Sequence, residues 1–151
     1  MTFFIFLMLA AASPNSQSLA EQDIIRQARA TQNEAINAGN LNSENLGVVA
    51  SFWTEDVTIR TGLGQVISGI ENYKAAFEGT NVIYMRTPEV IEISTKWPLA
   101  YESGTWVGIA GDFQISGRYA AQWVKRDKWL IRSEVFVVLD ADGDCPLHAV
   151  P

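Results

Sequence analysis

Glu102 and Glu134 each lie in a stretch rich in aromatic and β-branched residues, where a strand could turn a carboxylate inward to act as a general base. A solvated carboxylate is the ordinary alternative for Glu134. The other groups with chemical potential are poorly placed. The single cysteine, Cys145, is near the C-terminus, has no partner for an intramolecular disulfide and has no base beside it. The single histidine, His148, stands beyond the last strand-like segment. A zinc-type set of nitrogen and sulfur ligands therefore cannot converge in the domain, and no metal or other cofactor is expected. Asp140, Asp142 and Asp144 have the alternate spacing that starts a calcium loop, but Pro151 stands where the bidentate glutamate is needed. No phosphate loop, Ser-His-Asp set or Cys-His pair is present.

The elements that must position these groups are legible as patterns. Gly117 to Leu139 reads as two strands joined by a polar turn. Tyr119, Ala121 and Trp123 share one face of the first arm, and Trp129, Ile131, Val135, Val137 and Leu139 share one face of the second. The side taken by Glu134 depends on the turn. A two-residue turn at Arg126-Asp127 puts Glu134 with Tyr119 and Trp123, whereas a three-residue loop sends it to the opposite face, which the strand's own alternation favours. Upstream, Val82 to Ser94 is a strand whose Pro88 makes it an edge or a bulged strand, and Leu99 to Ile109 is another. Short strands are expected at Val57 to Thr61 and Gln65 to Ile67. Helices are expected from Ser18 to about Gly39, from Ser43 to Trp53 and from Gly69 to Glu78, the first and third opened by capping-box spacings at Ser18/Glu21 and Ser68/Glu71. Thr31 and Gln32 put polar groups into the apolar stripe of the first helix. The order of elements predicts an α+β domain, with a helical hairpin and a third helix on one face of a curved antiparallel sheet.

The chain has 151 residues, enough for one domain with a core, and 48% of them are hydrophobic. Its net charge of −6 and lack of a basic patch argue against a nucleic-acid partner. Phe3 to Leu9 is apolar and is followed by Ala10-Ala11-Ala12-Ser13, the pattern of a cleaved secretory signal, although Lys and Arg are missing ahead of it. The apolar run is too short to span a bilayer, so the mature chain is not expected to insert in a membrane. The expected division is 1–17 as signal and linker, 18–140 as the domain and 141–151 as an acidic tail, with a periplasmic or secreted location.

Several segments, in order, resemble the nuclear transport factor 2-like superfamily in its SnoaL-like, domain-of-unknown-function-4440 branch. They are Asn37-Ala38-Gly39-Asn40, Phe52-Trp53-Thr54-Glu55-Asp56-Val57, Ser68-Gly69-Ile70-Glu71, Ala100 to Trp106, Gly117-Arg118-Tyr119, Trp123 and Trp129-Leu130-Ile131. The resemblance implies a cone-shaped domain enclosing a pocket, and a homodimer through the outer face of the sheet. It also implies positions for the ketosteroid isomerase groups: the base near Thr61, the oxyanion tyrosine near Gln32 and the oxyanion aspartate near Ala121. None of these side chains has the required chemistry. Histidine-dependent dehydration is disfavoured by the position of His148.

The remaining candidates for a pocket are Gln32, Trp53, Thr61, Tyr73, Tyr101, Tyr119, Trp123 and Glu134, with ordinary core packing as the alternative for each aromatic. Three functions stay open. The first is an exported, non-catalytic module binding a small apolar or aromatic molecule. The second is an enzyme of the isomerase, lyase or hydrolase kind acting on a small apolar or polyketide-like substrate, with a carboxylate such as Glu102 or Glu134 as base. The third is a dimeric protein-interaction module.

Overall fold

The computed structural model describes residues 14–38, 41–80, 83–110 and 112–142. The signal-like segment, Gly39, Cys145 and His148 lie outside them. Helix α1 (Pro14–Ile36) packs beside α2 (Ser43–Ala50). Strands β1 (Trp53–Arg60) and β2 (Val66–Ser68) follow, then α3 (Ile70–Phe77), and then the long strands β3 (Ile83–Ile93), β4 (Leu99–Ala110), β5 (Phe113–Lys125) and β6 (Trp129–Asp142). One sheet runs in the order β2-β1-β6-β5-β4-β3. It is α+β, open and curved, as expected, with one difference. β3 to β6 form an antiparallel meander, but β1 pairs parallel with β6, so the sheet is mixed. The crossover through α3 and the meander separates β1 from β6 in sequence and makes the parallel ladder possible.

Helix α1 buries Ile25, Ala28, Arg29, Gln32 and Ile36, the stripe that a period of 3.6 requires. It starts at Pro14, through the segment 14–17 expected to be a linker, because a proline in the first turn forfeits no intrahelical bond. Ser18 is thus inside the helix, and Glu21, freed from a capping role, takes hydrogen bonds from Lys125 and Trp129 and ties α1 to the end of the meander. The second expected capping box does not form either. Gly69, at φ 84°, is the residue before α3, and no side chain caps it. Helix α2 ends at Ala50 rather than Trp53, which opens β1 instead and pairs with Ile131. Its N-cap is Asn42, whose side chain accepts from the Asn45 N–H at 2.9 Å.

Pro88 sits on β3, which is the sheet's edge, and the β3–β4 register shifts between Pro88 and Val90, so the strand is both an edge and bulged. Two further shifts on β6 decide which residues face the helices. The last hairpin has the three-residue loop, with Lys125 opposite Trp129 and Trp123 opposite Ile131. The next pairs are Gln122 with Ser133 and Ala121 with Glu134, so Arg132 is an extra residue on β6. That bulge resets the alternation. Trp129 and Ile131 stay inward, while Glu134 and Phe136 replace the expected Val135 and Val137, which are 40% and 50% exposed. A second shift, between Ser116 and Gly117, leaves Leu139 unpaired and exposed on β6 and carries the strand to Asp142, past the expected end of the domain at residue 140. A Cβ on Gly117 would lie 1.9 Å from the Val137 carbonyl oxygen, so only glycine admits the chains this close at the bulge.

Candidate functional site

The sheet's inner face carries Glu102 and Tyr119 from the meander's centre, Trp123 from β5 and Glu134 from β6, while α1 contributes Arg29 and Gln32 and β3 contributes Arg86. All of these side chains are buried. Arg29 holds Glu102 through two parallel bonds, Nε to Oε1 at 2.8 Å and Nη2 to Oε2 at 2.9 Å. Its Nη1 donates to Gln32 Oε1 at 2.8 Å and lies 2.9 Å from Glu134 Oε1. Arg86 Nη1 reaches both Glu134 oxygens, at 3.1 and 3.3 Å. Tyr119 and Trp123 donate to the two Glu102 oxygens, each at 2.5 Å. Gln32 closes the far end by donating to the Val49 carbonyl at 3.1 Å. Asn33 accepts from Arg86 N and Nε at 3.3 Å and donates to the Arg86 carbonyl at 2.8 Å, so it fixes both strand and guanidinium.

Two guanidinium groups meet two carboxylates, so the buried cluster is neutral as a whole. Such a cluster is tolerable only when each charge is paired and hydrogen-bonded. Burial pushes the Glu102 carboxyl up, but the charge of Arg29 and the bonds from Arg29, Tyr119 and Trp123 outweigh it and hold the group below the usual carboxylate range. Burial likewise works against the charge on Arg29, and Glu134 and Glu102 overcome it. Burial, with the Glu102 charge second, raises the Tyr119 phenol, which stays a neutral donor. Stacked on this, the Arg29 guanidinium carbon lies 5.5 Å from the Tyr119 ring centre and 5.2 Å from that of Trp123.

Beside the cluster is a cavity of about 280 Å³. Its lining is mainly apolar, with Trp53, Tyr73, Tyr84, Trp106 and Phe136 as the aromatic walls, the β1–β2 turn at Thr61 to Gln65 along one side, and Arg86 and Glu134 as its charged groups. Trp53 meets Tyr73 edge-on with ring centres 4.4 Å apart, and Trp106 meets Phe136 edge-on at 5.6 Å. Burial raises the phenols of Tyr73 and Tyr84.

Of the residues singled out in the sequence, Trp53, Thr61, Tyr73 and Glu134 are on the cavity wall. Gln32, Tyr119 and Trp123 belong to the charged cluster behind it. Tyr101 is on the other side of the sheet, 46% exposed, because its neighbour Glu102 takes the inward position and alternation leaves none for Tyr101. Glu102 itself is bonded on both oxygens and does not line the cavity. Arg29 and Arg86, which hold the two buried carboxylates, are not among those candidates. Arg29 was discoverable, since Ile25, Arg29, Gln32 and Ile36 fall on one helical stripe. Arg86 had no such signal, because Pro88 and the bulge at Glu89 obscure the strand's phase.

No known family model and no curated protein matches the chain. Solved structures do match. A protein named only provisionally as a scytalone dehydratase, from Novosphingobium aromaticivorans, superposes with a TM-score of 0.68 at 15% identity, covering 82% of this chain and 87% of that one. An NTF-2-like protein of unknown function from Shewanella oneidensis gives 0.59 at 19% identity, covering 76% and 96%. A hexachlorocyclohexane dehydrochlorinase, LinA type 2, gives 0.65 at 16% identity, covering 88% and 95%. The chain therefore has the nuclear transport factor 2-like fold. At these identities the likeness is one of fold alone. Among the described residues, no helix is long and apolar enough to cross a membrane, and no three His, Cys, Asp or Glu side chains gather to hold a metal.

Proposed function

We propose that this protein is an exported module that holds a small apolar or aromatic molecule in the cavity without transforming it. The observation that carries this reading is the cavity of about 280 Å³ with aromatic walls, close to the lower size of small-molecule sites. A lyase, suggested by neighbours named as a dehydratase and a dehydrochlorinase, is the alternative, with Glu134 as base. Against it, both Glu134 oxygens already accept from Arg86 and one is beside Arg29, so a proton acceptor would first have to give up these bonds. Mass spectrometry of small molecules released from the purified native protein tests the reading. A recurrent, stoichiometric apolar compound is expected. A compound recovered together with its elimination product, the conversion being lost in Glu134→Gln, would instead establish the enzyme.

Export rests on the Phe3 to Ser13 pattern, and N-terminal sequencing of secreted protein beginning near Ser13 would support it. The homodimer is proposed on the outer sheet face, where Met85, Val90, Tyr101, Val135 and Val137 are all more than a third exposed. Sedimentation should give a dimer that Val135→Lys converts to monomer.

A further inference from the structure

The described sheet has two edges, and they differ in what they offer another chain. β2 has three residues, whereas β3 has eleven, with Ile83, Met85 and Val90 exposed. A long edge with open backbone groups and exposed apolar side chains is a template for another strand. On β3 those backbone groups are taken by side chains of α1 and its end. The Tyr84 N–H donates to Asn37 Oδ1 at 2.8 Å, and the Arg86 N–H donates to Asn33 Oδ1 at 3.3 Å. The Arg86 carbonyl accepts from Asn33 Nδ2 at 2.8 Å.

The fit is one of spacing. Residues four apart on a helix are about 6 Å apart along its axis, and residues two apart on an antiparallel strand about 6.8 Å. Asn33 and Asn37 are joined by the helical bond from the Asn37 N–H to the Asn33 carbonyl, and α1 runs against β3, so Asn33 meets Arg86 and Asn37 meets Tyr84. By alternation the next edge-facing position is Pro88, which has no N–H to cover. The bulge after Pro88 then breaks the line of the strand. Asn37 lies outside the cavity lining and the charged cluster, so neither accounts for it.

We infer that Asn33 and Asn37 act as a surrogate strand, whose side-chain amides occupy the β3 edge and keep it from pairing with the same edge of a second copy of this chain. A second copy is the partner excluded because two β3 edges related by a two-fold axis run antiparallel and bring the same apolar residues together. This contact is separate from the outer sheet face.

Amide hydrogen exchange and sedimentation of the full chain test this. In the parent, the Tyr84 and Arg86 amides should exchange within about tenfold of those of Met85 and Thr87, which face β4. Asn37→Ala should speed Tyr84 exchange at least about fivefold, the usual worth of one hydrogen bond. Asn37→Asp keeps the acceptor and should leave that rate slow. The double variant Asn33→Ala/Asn37→Ala should associate beyond the parent's state as concentration rises. Adding Thr87→Lys, a charge at an exposed position of the same strand, should reverse this. Asn37→Ala alone leaves the Asn33 contacts in place, so the exchange measurement decides even where the double variant does not fold. Parent amides at Tyr84 and Arg86 that exchange as freely as a solvated loop would overturn the inference, as would an unchanged Tyr84 rate in Asn37→Ala. So would a folded double variant that sediments as the parent does at every concentration, or one whose association persists with Thr87→Lys.

Discussion

Arg29 and Glu102, 73 positions apart, are joined by two parallel hydrogen bonds of 2.8 and 2.9 Å, with neither side chain more than 1% exposed. This pair pins α1 to the centre of the sheet, and the rest of the buried cluster satisfies what it leaves over. Removing one partner strands the other charge. Glu102→Leu should therefore cost about 3–5 kcal/mol of stability, measured by denaturant melts. A loss under about 1 kcal/mol would mean that Glu134 alone can neutralise Arg29.

Acid should reveal the same pair. The Glu102 carboxyl is held below its unfolded value, by Arg29 and its hydrogen bonds overcoming burial, and Glu21 is lowered by bonds from Lys125 and Trp129. A depressed carboxyl contributes stability that is fully present above the unfolded value, about 4.3 for Glu, and is lost as pH falls through the lower, folded value. Unfolding free energy should then fall from about pH 5 downward. Glu102→Gln should flatten that fall by the share of one proton. An equally steep acid limb in the variant would show that Glu102 does not titrate with unfolding.

The fold was legible in the sequence because it depends on periods that the residues state plainly: the stripe Ile25 to Ile36, the alternation of Tyr119, Ala121 and Trp123, and glycine-rich turns. The site was legible only in part because it depends on bulges. Arg132 is an ordinary exposed residue with nothing to mark it as an insertion, yet it alone turns Glu134 inward and Val135 outward. An extrapolation of period 2 across it reverses the side chains from Ser133 to Val138, up to the second shift. Arg86 was hidden for the same reason on β3. Arginine is also read by default as a surface residue, and its burial here depends on Glu134, 48 residues away.

Trp123→Ala should cost far more than Trp97→Ala. Trp123 is fully buried, and its indole N–H is one of the four donors to Glu102 oxygens. Its truncation should cost about 3–5 kcal/mol through lost burial and a cavity. Trp97, 68% exposed in the β3–β4 turn, should lose a third of that or less. Trp123→Phe fills most of the cavity but deletes the bond, so it should fall between the two. Comparable losses for Trp97→Ala and Trp123→Ala would contradict the inward assignment of β5.

Glycine tolerance separates close approach from mere backbone freedom. A Cβ on Gly104 would lie 1.9 Å from the Thr87 carbonyl oxygen, where β3 bulges against β4, and backbone on both sides leaves nothing to swing aside. Gly104→Ala should therefore push the edge strand off its ladder, with a loss of more than about 3 kcal/mol. Gly47, inside α2, has open space around its Cβ position. Gly47→Ala removes chain entropy from the unfolded state and should stabilise by about 0.5–1 kcal/mol. Thermal melts of the two variants should thus shift in opposite directions. A Gly104→Ala protein that melts with the parent would mean that β3 lies farther from β4 than the Pro88–Gly104 pairing requires, and the position of Arg86 on the cavity wall would change with it.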